Sequence, residues 1–223
     1  MQNETAVIDT FVAEEVPAQK TAAWLYSRVG KATCSRFKDI IAKIGKGESA
    51  KRRNYRIQLA VERLTNEPTN NFVNTAMQHG VDQEPIARME YEARTGAIVE
   101  EVGFIEHLTI ELCGGSADGF VDADGLIEIK CPYESAIHVE TLLSGAMPDD
   151  HMAQVQGLMA VTGRKWCDFI SFDPRMPKGL QLFVKRIERD DAYIATLEAE
   201  VVKFLAELDA ALVQMRDRLA QYE

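Results

Sequence analysis

The stretch that most restricts how this chain can fold is Gly115–Pro132, GSADGFVDADGLIEIKCP. Phe120-Val121 reads as a strand with Asp118 at its head, and Asp122–Gly125 as a tight reversal in which Asp-Gly supplies the φ > 0 position. Leu126–Lys130 then reads as the returning strand. Side chains alternate along a strand, so Glu128 and Lys130 share one face and Ile127 and Ile129 the other. The hairpin brings Asp118 back toward the acid and the ammonium.

Two carboxylates fixed on such a hairpin can hold Mg²⁺, a hard ion that takes oxygen ligands and keeps several waters. That arrangement suits hydrolysis of a phosphodiester, with Lys130 orienting the attacking water or neutralising charge in the transition state. The same residues also read as an ordinary solvent-facing strand, and the hairpin alone leaves both readings open. Other readings fail on spacing. An EF-hand aligned on Asp122, Asp124 and Gly125 would place Phe120 and Cys131 at its first and last ligand positions. A nucleophile elbow at Gly114–Asp118 lacks its closing glycine.

At 223 residues the chain can bury one full core, so a single domain is expected over 1–223. It has no long uncharged run that would span a membrane, and its polar start does not read as a signal peptide. Cys34, Cys113, Cys131 and Cys167 are scattered, which points to free thiols in a reducing cytoplasm rather than a disulfide framework or a zinc site. His79, His107, His138 and His151 form no HExxH pair and read as structural or exposed. The net charge of −10 argues against a nucleic-acid partner until its distribution is considered. Lys20–Thr65 holds 12 Lys and Arg against 3 Asp and Glu, a local +9 that leaves −19 for the remainder. Such a segment can face a phosphate backbone, or can simply be a solvated basic helix.

Taken in order, residues 1–19 read as a loose arm and Trp24–Arg28 as a short helix ended by Gly30. Ser35–Lys43 reads as a helix capped by Thr33 or Ser35. Arg28, Lys31, Thr33 and Ser35 combine cations, hydroxyls and a helix start, a setting able to bind phosphate, although plain capping explains the hydroxyls equally. Gly45–Ser49 reads as a loop that does not match a Walker P-loop. Helices follow over Lys51–Leu64 and Phe72–Arg94, the latter bent near Glu84 by Pro85, where a carboxylate can aim inward. Strands are expected over 97–105 and 108–113, and a helix over Pro148–Val161 brings Gln154 and Gln156 near one end of the sheet. Trp166–Phe172 reads as a buried strand and Leu180–Ile187 as another. Asp190–Tyr222 reads as a long helix with Ile194, Leu197, Val201, Leu205, Leu208, Leu212 and Met215 on one packing stripe. This order of elements predicts an α/β (α+β) domain around a central mixed sheet flanked by helices.

Four blocks carry a resemblance. They are Trp24…Arg28-x-Gly30…Thr33-x-Ser35, and Gly80-x-x-x-Glu84-Pro85-x-Ala87-x-x-x-Tyr91-Glu92. The third pairs Ser116-Ala117-Asp118-Gly119 with Glu128-Ile129-Lys130-Cys131-Pro132, and the fourth is Met152-Ala153-Gln154-Val155-Gln156. With Asp173-Pro174-Arg175-Met176, they make the chain after residue 20 resemble the phage lambda-type alkaline exonucleases. These are the YqaJ-like viral recombinases, built on a PD-(D/E)XK restriction-endonuclease-like core.

The resemblance implies a processive, 5′-to-3′ digestion of linear double-stranded DNA that leaves 3′ single-stranded tails. It implies Mg²⁺, with Mn²⁺ as a substitute, held by Asp118, Glu128 and Glu84 with the Ile129 carbonyl assisting, while Lys130 acts on the nucleophilic water. Arg28, Ser35, Ser116 and Gln156 would line a 5′-phosphate pocket, with Thr33 and Gln154 beside them, and Met77 would stand where the family places an apolar wedge. The implied partners are a homotrimeric ring of this chain and a phage-type single-strand annealing protein, in a bacterial host cytoplasm.

Overall fold

The computed structural model describes residues 16–44, 47–69 and 74–221. In chain order these form α1 (Ala22–Ser27), β1 (Ala32–Thr33), a 3₁₀ turn (Cys34–Arg36), α2 (Phe37–Ile40), β2 (Lys43–Ile44), β3 (Gly47–Glu48), α3 (Ala50–Thr65) and α4 (Thr75–Thr95). Short strands β4 (Val99–Glu100), β5 (Ile105–Glu106), β6 (Cys113–Gly115) and β7 (Gly119–Val121) lead to β8 (Gly125–Lys130). The chain continues through α5 (Ser135–Ser144), α6 (Met152–Thr162), β9 (Trp166–Phe172), β10 (Leu182–Glu188) and α7 (Asp191–Leu219).

The main sheet has the order β10-β9-β8-β7-β4, with β8 and β9 parallel and every other pair antiparallel. Parallel neighbours need a crossover, which α5 and α6 supply. A second sheet, β1-β6-β5, lies beside it. The expected mixed sheet flanked by helices is therefore what forms. Because β8 and β9 are covered on both faces, they carry near-continuous apolar runs. Leu126, Cys167 and Phe169 pack with α2, α3, α6 and α7, while Ile127, Ile129, Ile170 and Phe172 pack with Ala87 and Tyr91 of α4. Among the described residues no helix is long and apolar enough to cross a membrane, and all four cysteines are free.

Helix starts follow their caps. Ser49 Oγ accepts from the Arg52 N–H at 3.1 Å to open α3, and Asp190 Oδ1 accepts from the Tyr193 N–H at 2.9 Å to open α7. Along α7 the stripe Ile194, Leu197, Val201, Leu205, Leu208 and Leu212 is buried as expected, and Phe204, which the stripe omitted, is fully buried against Tyr55. Met215 departs from that stripe: it is 50% exposed, because the core ends at Leu212.

Several local expectations are corrected. In the 122–125 reversal the left-handed residue is Asp122 (φ 48°), not Gly125. Gly125 is needed for packing instead, since a Cβ there would lie 2.0 Å from Trp166 Cζ2. Ser35–Lys43 splits into a 3₁₀ turn, the single-turn α2 and a strand; Thr33 makes no capping hydrogen bond. Gly47–Glu48 pairs with Lys43–Ile44 where a loop was expected. Residues 108–112 turn rather than extend, and α5 occupies a stretch for which no element was expected. Helix α4 begins at Thr75, capped by Asn74, and passes through Pro85 without interruption; its expected start at Phe72 lies outside the described residues, as do 1–15 of the expected arm and the helix end at Tyr222.

Candidate active site

The register of the β7–β8 hairpin builds the site. Gly119 pairs with Ile127 and Val121 with Gly125, so Asp118 comes level with the end of β8. Its Oδ2 accepts from the Ile129 N–H at 2.6 Å. Alternation then turns Ile127 and Ile129 into the core on the α4 side and leaves Glu128 and Lys130 together on the other face. Lys130 Nζ lies 2.5 Å from Glu128 Oε1, which also accepts from Gln154 Nε2 at 2.6 Å, and Gln154 Oε1 accepts from Lys130 Nζ at 3.2 Å. Helix α4 contributes Glu84. These groups line one cavity of about 230 Å³ together with Gln19, Trp24, Arg28, Thr33, Ser35 and Ser116.

The electrostatics are those of crowded acids. Burial, reinforced by the charges of Glu128 and Glu84, holds Asp118 well above the usual carboxylate range. Burial also raises Glu128, with Lys130 pulling the other way. Burial alone would lower Lys130, but Glu128, Asp118 and Glu84 outweigh it and keep the ammonium charged.

Among the described residues no three His, Cys, Asp or Glu side chains are gathered into a metal cage. Each carboxylate is engaged separately: Glu128 by Lys130 and Gln154, Asp118 by the Ile129 amide, and Glu84 by Lys20 at 2.9 Å. The donor set still fits a hard divalent ion. It consists of oxygens, and Glu128 Oε2 is buried without a hydrogen-bond partner among the described residues, an orphan that a cation would satisfy.

Next to the carboxylates lies a second group of the expected residues. Arg28, at the C-terminal end of α1, stacks its guanidinium 4.1 Å over the Trp24 ring and forms no ion pair among the described residues. Trp24 Nε1 donates to Ser116 Oγ at 2.9 Å, and the Thr33 and Ser35 hydroxyls lie 3.4 Å apart. Gly115 lets the backbone close on this corner, since a Cβ there would lie 2.6 Å from Cys34 Sγ. Gln156 does not join the group. It is 2% exposed; its amide donates to the Glu188 carbonyl and its oxygen accepts from the Asp190 N–H, tying β10 to α7. Met77 is 53% exposed near the start of α4, outside the cavity.

Several cations of the basic segment, read either as phosphate-facing or as solvated, are instead paired with acids of this chain. Arg52 is buried and donates to the Ile40 carbonyl and to both Glu207 carboxylate oxygens. Arg56 pairs with Glu48 and Glu207, Arg63 with Asp209, and Lys43 with Glu200. Helix α3 thus spends much of its charge on the acidic face of α7; Lys51 and Arg53 remain without an ion pair among the described residues. Gln19, Lys20 and Arg88, which no motif in the sequence singles out, also meet at the site. In the 173–176 loop Asp173 is fully buried, and Arg175 bridges it to the carbonyls of Pro132 and Tyr133, pinning the chain just after Lys130.

A model of the YqaJ-like viral recombinase domain matches residues 23–165. The chain belongs to that family. It is 45% identical to an alkaline exonuclease (LHK-Exo) from Laribacter hongkongensis, whose crystal structure matches with a TM-score of 0.85 over 91% of this chain and 100% of that one; a structure of LHK-Exo in complex with dAMP matches at 0.86. A phage-related exonuclease from Haemophilus somnus 129PT shares the fold at TM-score 0.66 and 17% identity, over 83% of this chain and 96% of that one. The Escherichia coli K12 protein ExoD is 38% identical over 71 residues, 31% of this chain and 79% of ExoD.

A pH prediction follows from Asp118. Its raised value means that the folded, metal-free protein keeps a proton that the unfolded chain releases. Stability therefore falls as pH rises from the ordinary carboxylate range through the raised value. Asp118→Asn removes that titration and keeps an acceptor for the Ile129 amide. In EDTA its urea midpoint is expected to exceed that of the unaltered protein at alkaline pH, with the difference shrinking toward acid pH. Equal midpoints throughout would contradict this.

Proposed function

We infer that this chain is a Mg²⁺-dependent 5′-to-3′ exonuclease acting on linear double-stranded DNA from a 5′-phosphorylated end. The observation that carries the inference is the convergence of Asp118, Glu128, Glu84 and Lys130 in one cavity with Arg28, which has no ion pair among the described residues. Its 45% identity to an alkaline exonuclease, and that relative's complex with a nucleoside monophosphate, support it.

Asp118, Glu128 and Glu84, with the Ile129 carbonyl, are the groups that would hold the ion, which when bound polarises the phosphoryl oxygens and lowers the pKa of water. Lys130 stays protonated beside Glu128, so its role is to orient the attacking water and offset phosphoryl charge as it develops. Gln154 holds both Lys130 and Glu128 in place. A terminal 5′-phosphate carries nearly two negative charges and fits the Arg28 guanidinium and the Thr33, Ser35 and Ser116 hydroxyls. Holding the new end after each cleavage would set the next linkage over the carboxylates. Met77, exposed on α4, is the proposed apolar wedge. A homotrimeric ring around the duplex would give processivity and 3′ tails for an annealing protein to use.

Charge-assisted hydrogen bonds contribute about 1.5–3 kcal/mol each. Arg28→Ala is therefore expected to slow digestion of 5′-phosphorylated duplex about 10- to 100-fold, and of 5′-hydroxyl duplex far less. Equal slowing on both substrates would remove Arg28 from the phosphate site. A covalently closed circular duplex separates the exonuclease from an endonuclease of the same fold: it should survive conditions that consume the linear form.

A further inference from the structure

The chain reaches α1 through a segment fixed beside the hairpin. Val16 and Pro17 lie against Gly103, where a Cβ would sit 2.4 Å from the Pro17 carbonyl oxygen. The Gln19 amide donates to the Val102 and Ala117 carbonyls, both at 2.7 Å, which ties the segment to the residue just before Asp118. Lys20 then adopts φ 68°, a left-handed conformation uncommon for a residue with a side chain, and the Thr21 hydroxyl caps α1. This turn carries Lys20 Nζ to 2.9 Å from Glu84 Oε2. Arg88 approaches the other Glu84 oxygen no closer than 3.6 Å and also pairs with Glu101.

We propose that Lys20 is the resident counter-cation of Glu84, holding the carboxylate in the metal-free protein and yielding it to the divalent ion. The inference rests on the reading of Glu84, Asp118 and Glu128 as the metal-holding carboxylates. Glu128 has the Lys130 ammonium and Asp118 the Ile129 amide, so Glu84 is the acid whose charge Lys20 offsets in the metal-free cavity. Its charge also opposes entry of a second cation at the same oxygens, so metal binding includes the loss of the Lys20–Glu84 pair. The packing of Val16 and Pro17 on Gly103 and the side-chain hydrogen bonds of Gln19 and Thr21 keep the ammonium local, ready to return when the ion leaves.

The test is Mn²⁺ affinity of the full chain, by titration calorimetry or by the free-ion resonance in electron paramagnetic spectra, for the unaltered protein, Lys20→Met and Lys20→Arg. Lys20 is exposed, so neither substitution disturbs the core. Lys20→Met is expected to bind Mn²⁺ about two- to five-fold more tightly, the range of a partly exposed ion pair. Its thermal midpoint should be lower in EDTA and rise further on adding Mn²⁺. Lys20→Arg should stay near the unaltered protein. Equal or weaker binding by Lys20→Met, or Lys20→Arg behaving like Lys20→Met, overturns the proposal. If the unaltered protein binds Mn²⁺ and the methionine variant binds it identically, only the Lys20 role fails; absence of binding to all three removes the metal site itself.

Discussion

Lys130→Ala is expected to lower the rate of digestion of linear duplex DNA by about 100- to 10,000-fold, the range lost when a positioned proton-handling or charge-stabilising group is removed. The side chain is about one-third exposed at the mouth of the cavity, so the fold should survive its truncation. Gln154 remains as a donor to Glu128 Oε1, which limits the cost of leaving that buried carboxylate without its ammonium. Circular dichroism and an unchanged urea m-value would establish that the variant is folded. Near-normal digestion by a folded Lys130→Ala protein would mean that the hairpin is not where the chemistry occurs, whatever the carboxylates bind.

Phe204→Ala should have the largest effect on stability of any single change in α7. The ring is fully buried, stacked on Tyr55 of α3 at 5.4 Å, and lies under the Arg52 guanidinium. Truncating a buried phenylalanine costs about 3–5 kcal/mol through lost transfer energy and the cavity left behind. The same cavity would loosen Arg52, whose bonds to the Ile40 carbonyl and Glu207 join α2, α3 and α7. Urea denaturation should show a lower midpoint with little change in slope. A loss below about 1 kcal/mol would show that the α3–α7 seam is looser than its packing indicates.

What the sequence revealed of this protein was local in origin. The alternation of Ile127–Lys130 and the apolar stretch of Trp166–Phe172 specify strands, and strand geometry alone then places Glu128 and Lys130 together. Phe204 was equally legible: it sits three residues after Val201 and belongs to the stripe by helical spacing. The resemblance puts Gln156 with Gln154 at the phosphate pocket, yet residues two apart on a helix point about 200° apart. Once Gln154 faces Glu128, Gln156 must face away, toward the start of α7. The fate of the basic segment depends on partners some 150 positions distant, Glu207 and Asp209, and no pattern within Lys20–Thr65 announces them. Lys20 is silent in the sequence for the same reason. Its effect depends on Gly103, Val102 and Ala117, which receive the preceding residues, and on a left-handed turn with no glycine to mark it.

If Asp118, Glu128 and Glu84 hold one divalent ion beside Lys130, anomalous diffraction from crystals of the full chain soaked in Mn²⁺ should show a peak bounded by those three carboxylates and the Ile129 carbonyl, with Lys20 withdrawn from Glu84. A map with no peak there, the three acids still held by Lys130, Lys20 and the Ile129 amide, would mean that they hold no such ion.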